Sequence, residues 1–178
     1  MSQRVEPTKN EVFFDTEGII VSKTDRQGRI LYANDLFLSV AGYTESEVLG
    51  KPHSLIRHPE MPRAVFKLLW DTIDSGSEIF AYVKNITKAG DYYWVIAHVT
   101  PSFNDRGDIV GYHSNRRCPT RESVEFITPI YQQLLDEERR HRDRREGLAA
   151  STNMLLDFLE QHEVSYPEFI FGSLKGLE

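Results

Sequence analysis

A single cysteine, Cys118, in 178 residues excludes an intrachain disulfide and a cysteine-rich metal cage, and it fits a reducing compartment. Long apolar runs are missing too. The opening MSQRVEPTKNEVFF has no uninterrupted apolar stretch of the kind a secretory signal needs, and nothing further on is long enough to cross a bilayer. The expected location is therefore cytoplasmic, with no direct membrane insertion and with any recruitment to the inner membrane left to a partner. Positive charge is in short supply: 21 Lys and Arg against 27 Asp and Glu give a net charge of −6, which argues against nucleic-acid binding because phosphate neutralisation needs a basic surface. There is no Gly-rich phosphate loop, no nucleophile elbow and no metalloprotease pair, so catalysis is not expected.

What is present fills one domain and an appendage. Gly18 to Thr24 and Arg29 to Ala33 are β-branched and apolar and flank Asp25-Arg26-Gln27-Gly28, which predicts a hairpin. From Asn34 to Ser75 short segments end on Gly42 and Gly50, the pattern of several brief helices. Met61 to Ser75 places Val65, Leu68, Leu69 and Ile73 at three- and four-residue spacing, so one helical face turns to a core, and Gly76 stops it. Three strands follow at Ile79 to Thr87, Tyr92 to Phe103 and Ile109 to Arg117, split by turn clusters. Five antiparallel strands need a cover, and the intervening helices are the cover this region offers. The space between helices and sheet is the natural pocket.

Beyond Arg117 the composition shifts. Thr128-Pro129 reads as the cap and first residue of a helix that carries Ile130, Tyr131, Leu134 and Leu135, runs through the charged stretch Asp136 to Glu146, ends at Gly147 and leaves the domain. A second helix is expected over about Ala149 to His162. A third begins at Ser165-Tyr166-Pro167-Glu168, which has capping-box spacing. The expected layout is a leader over 1–17, a core domain over 18–118 and a helical extension over 119–178.

The strings GRILYAND, LFLSVAGYTESEVLGKPHSLIRHPEMP, YVKNITKAGDYYWVIAHVTP and GDIVGYHSNRR resemble the PAS family across about Gly18 to Arg117. The resemblance implies an α+β PAS fold: a five-stranded antiparallel sheet with short helices over one face, here with a C-terminal α-helical extension. Within the family, Pro52 to Pro62 (PHSLIRHPEMP), Lys84-Asn85 and Gly90-Asp91-Tyr92-Tyr93-Trp94 are similar to the flavin-binding energy-taxis sensors of the aerotaxis-receptor type, and most of all to the short stand-alone PAS proteins of bipartite energy-taxis systems, the CetB kind. That implies FAD in the pocket, a homodimer, and a membrane-bound signalling partner with HAMP and methyl-accepting regions.

The cofactor-binding candidates are Asn34, His53, Arg57, His58, Glu60, Trp70 and Asn85. Arg57 offers a planar fork of donors for diphosphate or ring carbonyl oxygens. Asn34 and Asn85 both donate and accept, although Asn34 follows a strand and is also placed to cap a helix. Trp70 and Trp94 lie on apolar periodic faces, where core packing is the ordinary role of an indole. The chain departs from the pattern at Glu60, where related sensors usually carry Asp, and at Ile79, where the receptor type carries Trp. His53 and His58, five apart, do not share a helix face, which argues against a bound metal ion. Haem, another small organic ligand or an empty pocket in a dimerising adaptor are the alternatives to flavin. Cysteinyl-flavin photochemistry needs a thiol in the central helices, and Cys118 follows the last strand. In a redox sensor, Asn85 and the Arg57-His58 segment are expected to feel a change at the ring, and the strand ending at Arg117 to pass it to the next helix.

Overall fold

A computed structural model of the protein describes residues 5–172. Its first hairpin, β1 (Ile20–Asp25) and β2 (Ile30–Ala33), is set by turn chemistry. The Asp25 carboxylate accepts from the backbone N–H of Gln27 and Arg29 at 2.9 and 2.8 Å, and Gly28 takes a φ of 75°, a conformation in which a side chain is strained. A Cβ at 28 would also stand 3.1 Å from the Trp70 indole. The Asn34 side chain then ends the hairpin by accepting from Val21 N–H and Phe37 N–H, both at 3.0 Å, and donating to Ile19 C=O at 2.8 Å. That makes it the cap of α1 (Asp35–Ala41).

Helix α2 (Glu45–Val48), a 3₁₀ turn at His53–Ile56 and α3 (Arg63–Asp74) complete the helical block. Strands β3 (Ile79–Ile86), β4 (Tyr92–Phe103) and β5 (Ile109–Arg117) complete a five-stranded sheet of order β2-β1-β5-β4-β3. Every strand pair is antiparallel. The free edge of β3 is covered by the segment after the 3₁₀ turn: Arg57 bridges to Asn85, and His58 N–H reaches Lys84 C=O at 3.4 Å. Such cover blunts an edge that would otherwise template pairing.

Register sorts the side chains. Ile20, Arg116 and Ala97 are neighbours across three strands, as are Ser22, Ser114 and Val99. These, with Val83 and Asn85, occupy the face beneath the helical block. Tyr82, Trp94 and Phe80 point the other way.

The C-terminal part differs from the sequence expectation in three respects. Helix α4 (Arg121–Arg140) starts eight residues earlier than Thr128-Pro129 suggests, capped by Thr120, which accepts from Ser123 N–H at 3.2 Å, and Pro129 lies inside it. An internal proline costs about 3 kcal/mol. Burial of Val124, Ile127, Tyr131 and Leu134, at about 1.5–3 kcal/mol each, exceeds that. Second, the charged stretch is divided: α4 ends at Arg140, and Asp143 caps α5 (Arg144–Gln161) by accepting from Arg145 N–H and Glu146 N–H at 2.6 and 3.2 Å. Gly147 is inside α5 and marks a close crossing, since a Cβ there would lie 2.7 Å from the Glu138 carbonyl oxygen. Third, the helices do not leave the domain. Tyr131 donates to Tyr82 C=O at 2.7 Å, and the Tyr82 hydroxyl donates to Ile170 C=O at 3.3 Å. Helices α4 and α6 (Tyr166–Gly172) therefore cover the far face of the sheet. The capping box of α6 forms as its spacing suggests, with Ser165 and Glu168 bonded reciprocally.

In the leader, Val12 and Phe14 pack back on the core, Phe14 edge-on to Tyr93 at 6.4 Å, while Phe13 stays exposed.

Candidate functional site

Between the helical block and the sheet lies a cavity of about 300 Å³. Its apolar walls are Phe66, Leu69, Trp70 and Ile73 of α3 facing Val83, Ala97 and Val99 of the sheet. The helix shows these residues because their spacing of three and four keeps them on one face. The strands show theirs because alternate residues share a face. The polar lining is Ser22, Thr24, Gln27, His53, Ser54, Arg57, Asn85, Ser114 and Arg116, with Tyr112 at one end, and no Asp or Glu lines it.

Of the residues singled out from the sequence, His53, Arg57, Trp70 and Asn85 come together on this lining. Trp70 stands edge-on to Tyr112 with ring centroids 5.4 Å apart. The Arg57 guanidinium lies 3.5 Å from the Phe66 ring centroid, and its buried Nε has no partner. Burial lowers the Arg57 pKa from its ordinary value. Asn85 is 3% exposed; its side chain interacts with the cross-strand Tyr93 hydroxyl, but Nδ2 makes no bond of full hydrogen-bonding geometry. A buried donor left unpaired costs about 1–3 kcal/mol, which makes these atoms pointers to a guest.

Three of the candidates stand elsewhere. Asn34 spends its amide on α1 and β1. His58 is 1% exposed and packs edge-on to Tyr92. Its Nδ1 accepts from Glu60 N–H at 3.1 Å, so the imidazole props the turn that carries Arg57. Burial first, and the Lys84 ammonium next, hold the His58 pKa down to about 4, with Glu60 opposing. Glu60 is exposed and pairs with Lys84 at 2.5 Å; that bond is the largest reason its pKa is lowered.

The sequence reading passed over Arg116. It is 3% exposed in a central strand, and its Nη2 lies 2.6 Å from Ser22 Oγ and 2.5 Å from His53 Nε2, while Nη1 is buried and unpartnered. Burial brings its pKa down to about 10, so it stays cationic at neutral pH. His53 is pushed well below its usual value by burial first, then by Arg116 and Arg57. It is therefore neutral and accepts the Arg116 proton at Nε2. The signal was in the text: Tyr112, Ser114 and Arg116 alternate along one strand, with apolar β4 residues opposite. Period two puts Arg116 on the face of Tyr112 and Ser114, and register makes that face the inner one.

Among the described residues no group of three or more His, Cys, Asp or Glu is placed to hold a metal ion, and no helix is long and apolar enough to cross a membrane. Cys118, the sole thiol, is half-buried beside Pro119 and does not line the cavity.

Comparison with known proteins follows the same outline. The aerotaxis receptor of Escherichia coli (strain K12) is 43% identical over 115 residues, which is 65% of this chain and 22% of the receptor, so the chain spans less than a quarter of that relative. The solved light-state structure of the blue-light photoreceptor Aureochrome1 LOV superposes with a TM-score of 0.56 at 24% identity, covering 62% of this chain and 89% of that one. A light-oxygen-voltage domain solved in a study of a flavin analogue superposes with a TM-score of 0.54 at 21% identity, covering 69% and 87%. The family model described as PAS fold matches residues 30–116. With the strand order β2-β1-β5-β4-β3 and the helical block over one face, this match identifies residues 30–116 as a PAS domain.

Proposed function

We propose that the cavity holds the ring of a flavin, as FAD, and that the protein is a cytoplasmic redox sensor of the energy-taxis kind, a signalling module and not an enzyme. The observation that carries this reading is an apolar slot lined with buried donors that lack acceptors, Arg57 Nε and Asn85 Nδ2 among them. A flavin ring has apolar faces and an edge of carbonyl oxygens and ring nitrogens, which is the complementary chemistry. A volume of about 300 Å³ is at the lower end for small-molecule sites and suits a ring system. The aerotaxis receptor and the light-oxygen-voltage domains add support by kinship. The absence of any thiol on the lining separates the chain from cysteinyl-flavin light chemistry.

A bound flavin supplies reversible uptake of electrons, with a change of donor and acceptor character at its edge. The chain's own groups are suited to follow that change: the Asn85 amide both donates and accepts, and Arg57 sits on the short segment that covers β3. Two routes lead outward. Strand β5 runs directly into α4, and α3 is joined to α4 through Glu138, which accepts from Arg63 Nε at 2.9 Å and Ala64 N–H at 3.1 Å. In this reading the C-terminal helices carry the signal by protein contact, in a homodimer, to a membrane-bound transducer with HAMP and methyl-accepting regions.

An absorption spectrum of freshly purified protein tests the proposal. Vibronic flavin bands that bleach with dithionite are expected, and Arg57→Ala should lose them while its circular dichroism stays unchanged. A Soret band, or a colourless protein that takes up no added FAD, defeats it in favour of haem or of a flavin-free adaptor.

A further inference from the structure

We infer that Arg116 is held in the cavity floor as an unneutralised cation for the guest, and that it selects guests presenting an oxygen or nitrogen acceptor, or a negative charge, at the edge that meets the sheet. The inference deepens the flavin reading and rests on it.

Arg116 lies between Ile20 and Ala97 in the register of the sheet, the surroundings of a core residue. A charge there is expensive unless it is paired and fully hydrogen-bonded. Its protein partners are neutral. Ser22 and His53 share one nitrogen, Nη2. The Phe37 ring lies 5.6 Å from its guanidinium carbon, a distance at which a cation–π contact is weak. The other arginine on the lining, Arg57, cannot answer the charge, and no carboxylate lines the cavity. A group placed only to strengthen the fold would have its charge answered, as Arg63 is by Glu138 at 2.9 Å. At Arg116 the answer is missing: the residue lines the cavity, and its Nη1 is buried and unpaired. The depressed basicity of His53 fits this role, since a neutral imidazole at that point steers the guanidinium without repelling it.

Loss of Arg116 therefore has opposite effects on the empty and the loaded protein. Arg116→Met removes an unanswered charge and leaves Ser22 Oγ and His53 Nε2, 3.2 Å apart, to bond to each other. The empty variant should unfold at the same or a higher urea concentration than the empty wild type. Titration with FAD should give an affinity about ten- to a hundredfold lower, the worth of a charged hydrogen bond. Reduction of bound flavin by dithionite adds two electrons and, with one proton from water, one net negative charge. The midpoint potential of the Arg116→Met complex should consequently be more negative than that of wild type. Arg116→Lys keeps the charge and loses the fork, so it should keep most of the potential and lose part of the affinity.

A folded Arg116→Met protein with wild-type affinity and potential overturns the inference and leaves the flavin reading standing. So does an Arg116→Met protein that fails to fold, because Arg116 then serves the fold. Wild-type protein that binds no flavin at all defeats the flavin reading, and this inference with it.

Discussion

The two faces of the sheet carry the same five strands and are finished in different ways. On the far face, Trp94 tilts against Tyr131 with centroids 6.3 Å apart, Phe80 stacks on His98 at 4.1 Å and meets Phe171 at 4.7 Å, and Tyr131 donates to the strand below. Rings fill most of the space there, with a smaller cavity of about 190 Å³ left beside Trp94 and Val124. On the near face a cavity remains, and Arg57, Asn85, Ser114 and Arg116 each keep a buried polar atom without a partner. The far face also leaves the Tyr166 hydroxyl without a partner of full hydrogen-bonding geometry, but the larger cavity and both unpaired arginine nitrogens are on the near side, which assigns stability chiefly to the far face and binding to the near one.

The contrast is tested most severely at Phe169, which is 1% exposed and touches Phe126, Phe158 and Tyr166. Phe169→Ala should cost about 3–5 kcal/mol of unfolding free energy, read as a lower urea midpoint. FAD affinity of the fraction that stays folded should not change. An equal loss of affinity would show that the two faces are not separable.

Next in size is Glu138, where the faces are joined. Helix α3 begins after Pro62, which offers no side-chain cap, and the Glu138 carboxylate from α4 takes that place while pairing with Arg63. A carboxylate at a helix N-terminus also meets the positive end of the dipole. Glu138→Gln should cost about 2–3 kcal/mol, less than a fully buried pair because Arg63 is partly exposed. It should also loosen the coupling of α3 to α4, which hydrogen exchange at the first turn of α3 will report. Unchanged exchange there would remove this route from the signalling scheme.

The strands, the helical block and four residues of the cavity lining were legible because each rests on local pattern. Alternation gave β3 to β5, three- and four-residue spacing gave α3, and the family strings led to His53, Arg57, Trp70 and Asn85. The misreadings have a common cause. Pro129 looked like a helix start and Gly147 like a helix stop because local propensity says so, and tertiary burial of Ile127 and Tyr131, with the Glu138 crossing at Gly147, decided otherwise. Arg116 was not singled out, because its place in the Ile20–Arg116–Ala97 row is a matter of register. Asn34, His58 and Glu60 belong to the supporting framework around the cavity, a distinction that depends on where each side chain spends its bonds.

The smallest effect is set by pH, and it separates the two faces once more. His58 and His53, both on the near side, are held neutral when folded, His58 with a pKa of about 4 and His53 well below its ordinary value. The unfolded chain protonates both near pH 6.5, so between that pH and about 4.5 the unfolded state binds more protons than the folded one. Stability is therefore complete above pH 6.5 and falls as the solution is made more acid. The lowered carboxylates, Glu47 at about 2 and Glu60, lose their share only as pH drops through and below the ordinary carboxylate range near 4.5, which leaves the upper window to the histidines. Between pH 7 and about pH 6 the urea midpoints should fall by the equivalent of about 1–2 kcal/mol. In His58→Asn the amide oxygen can replace Nδ1 as acceptor for Glu60 N–H, so the slope should flatten by the His58 share while stability at pH 7 is nearly kept. An unaltered slope in that variant would mean that His58 is already open to solvent, and that the turn carrying Arg57 is not propped by a neutral imidazole.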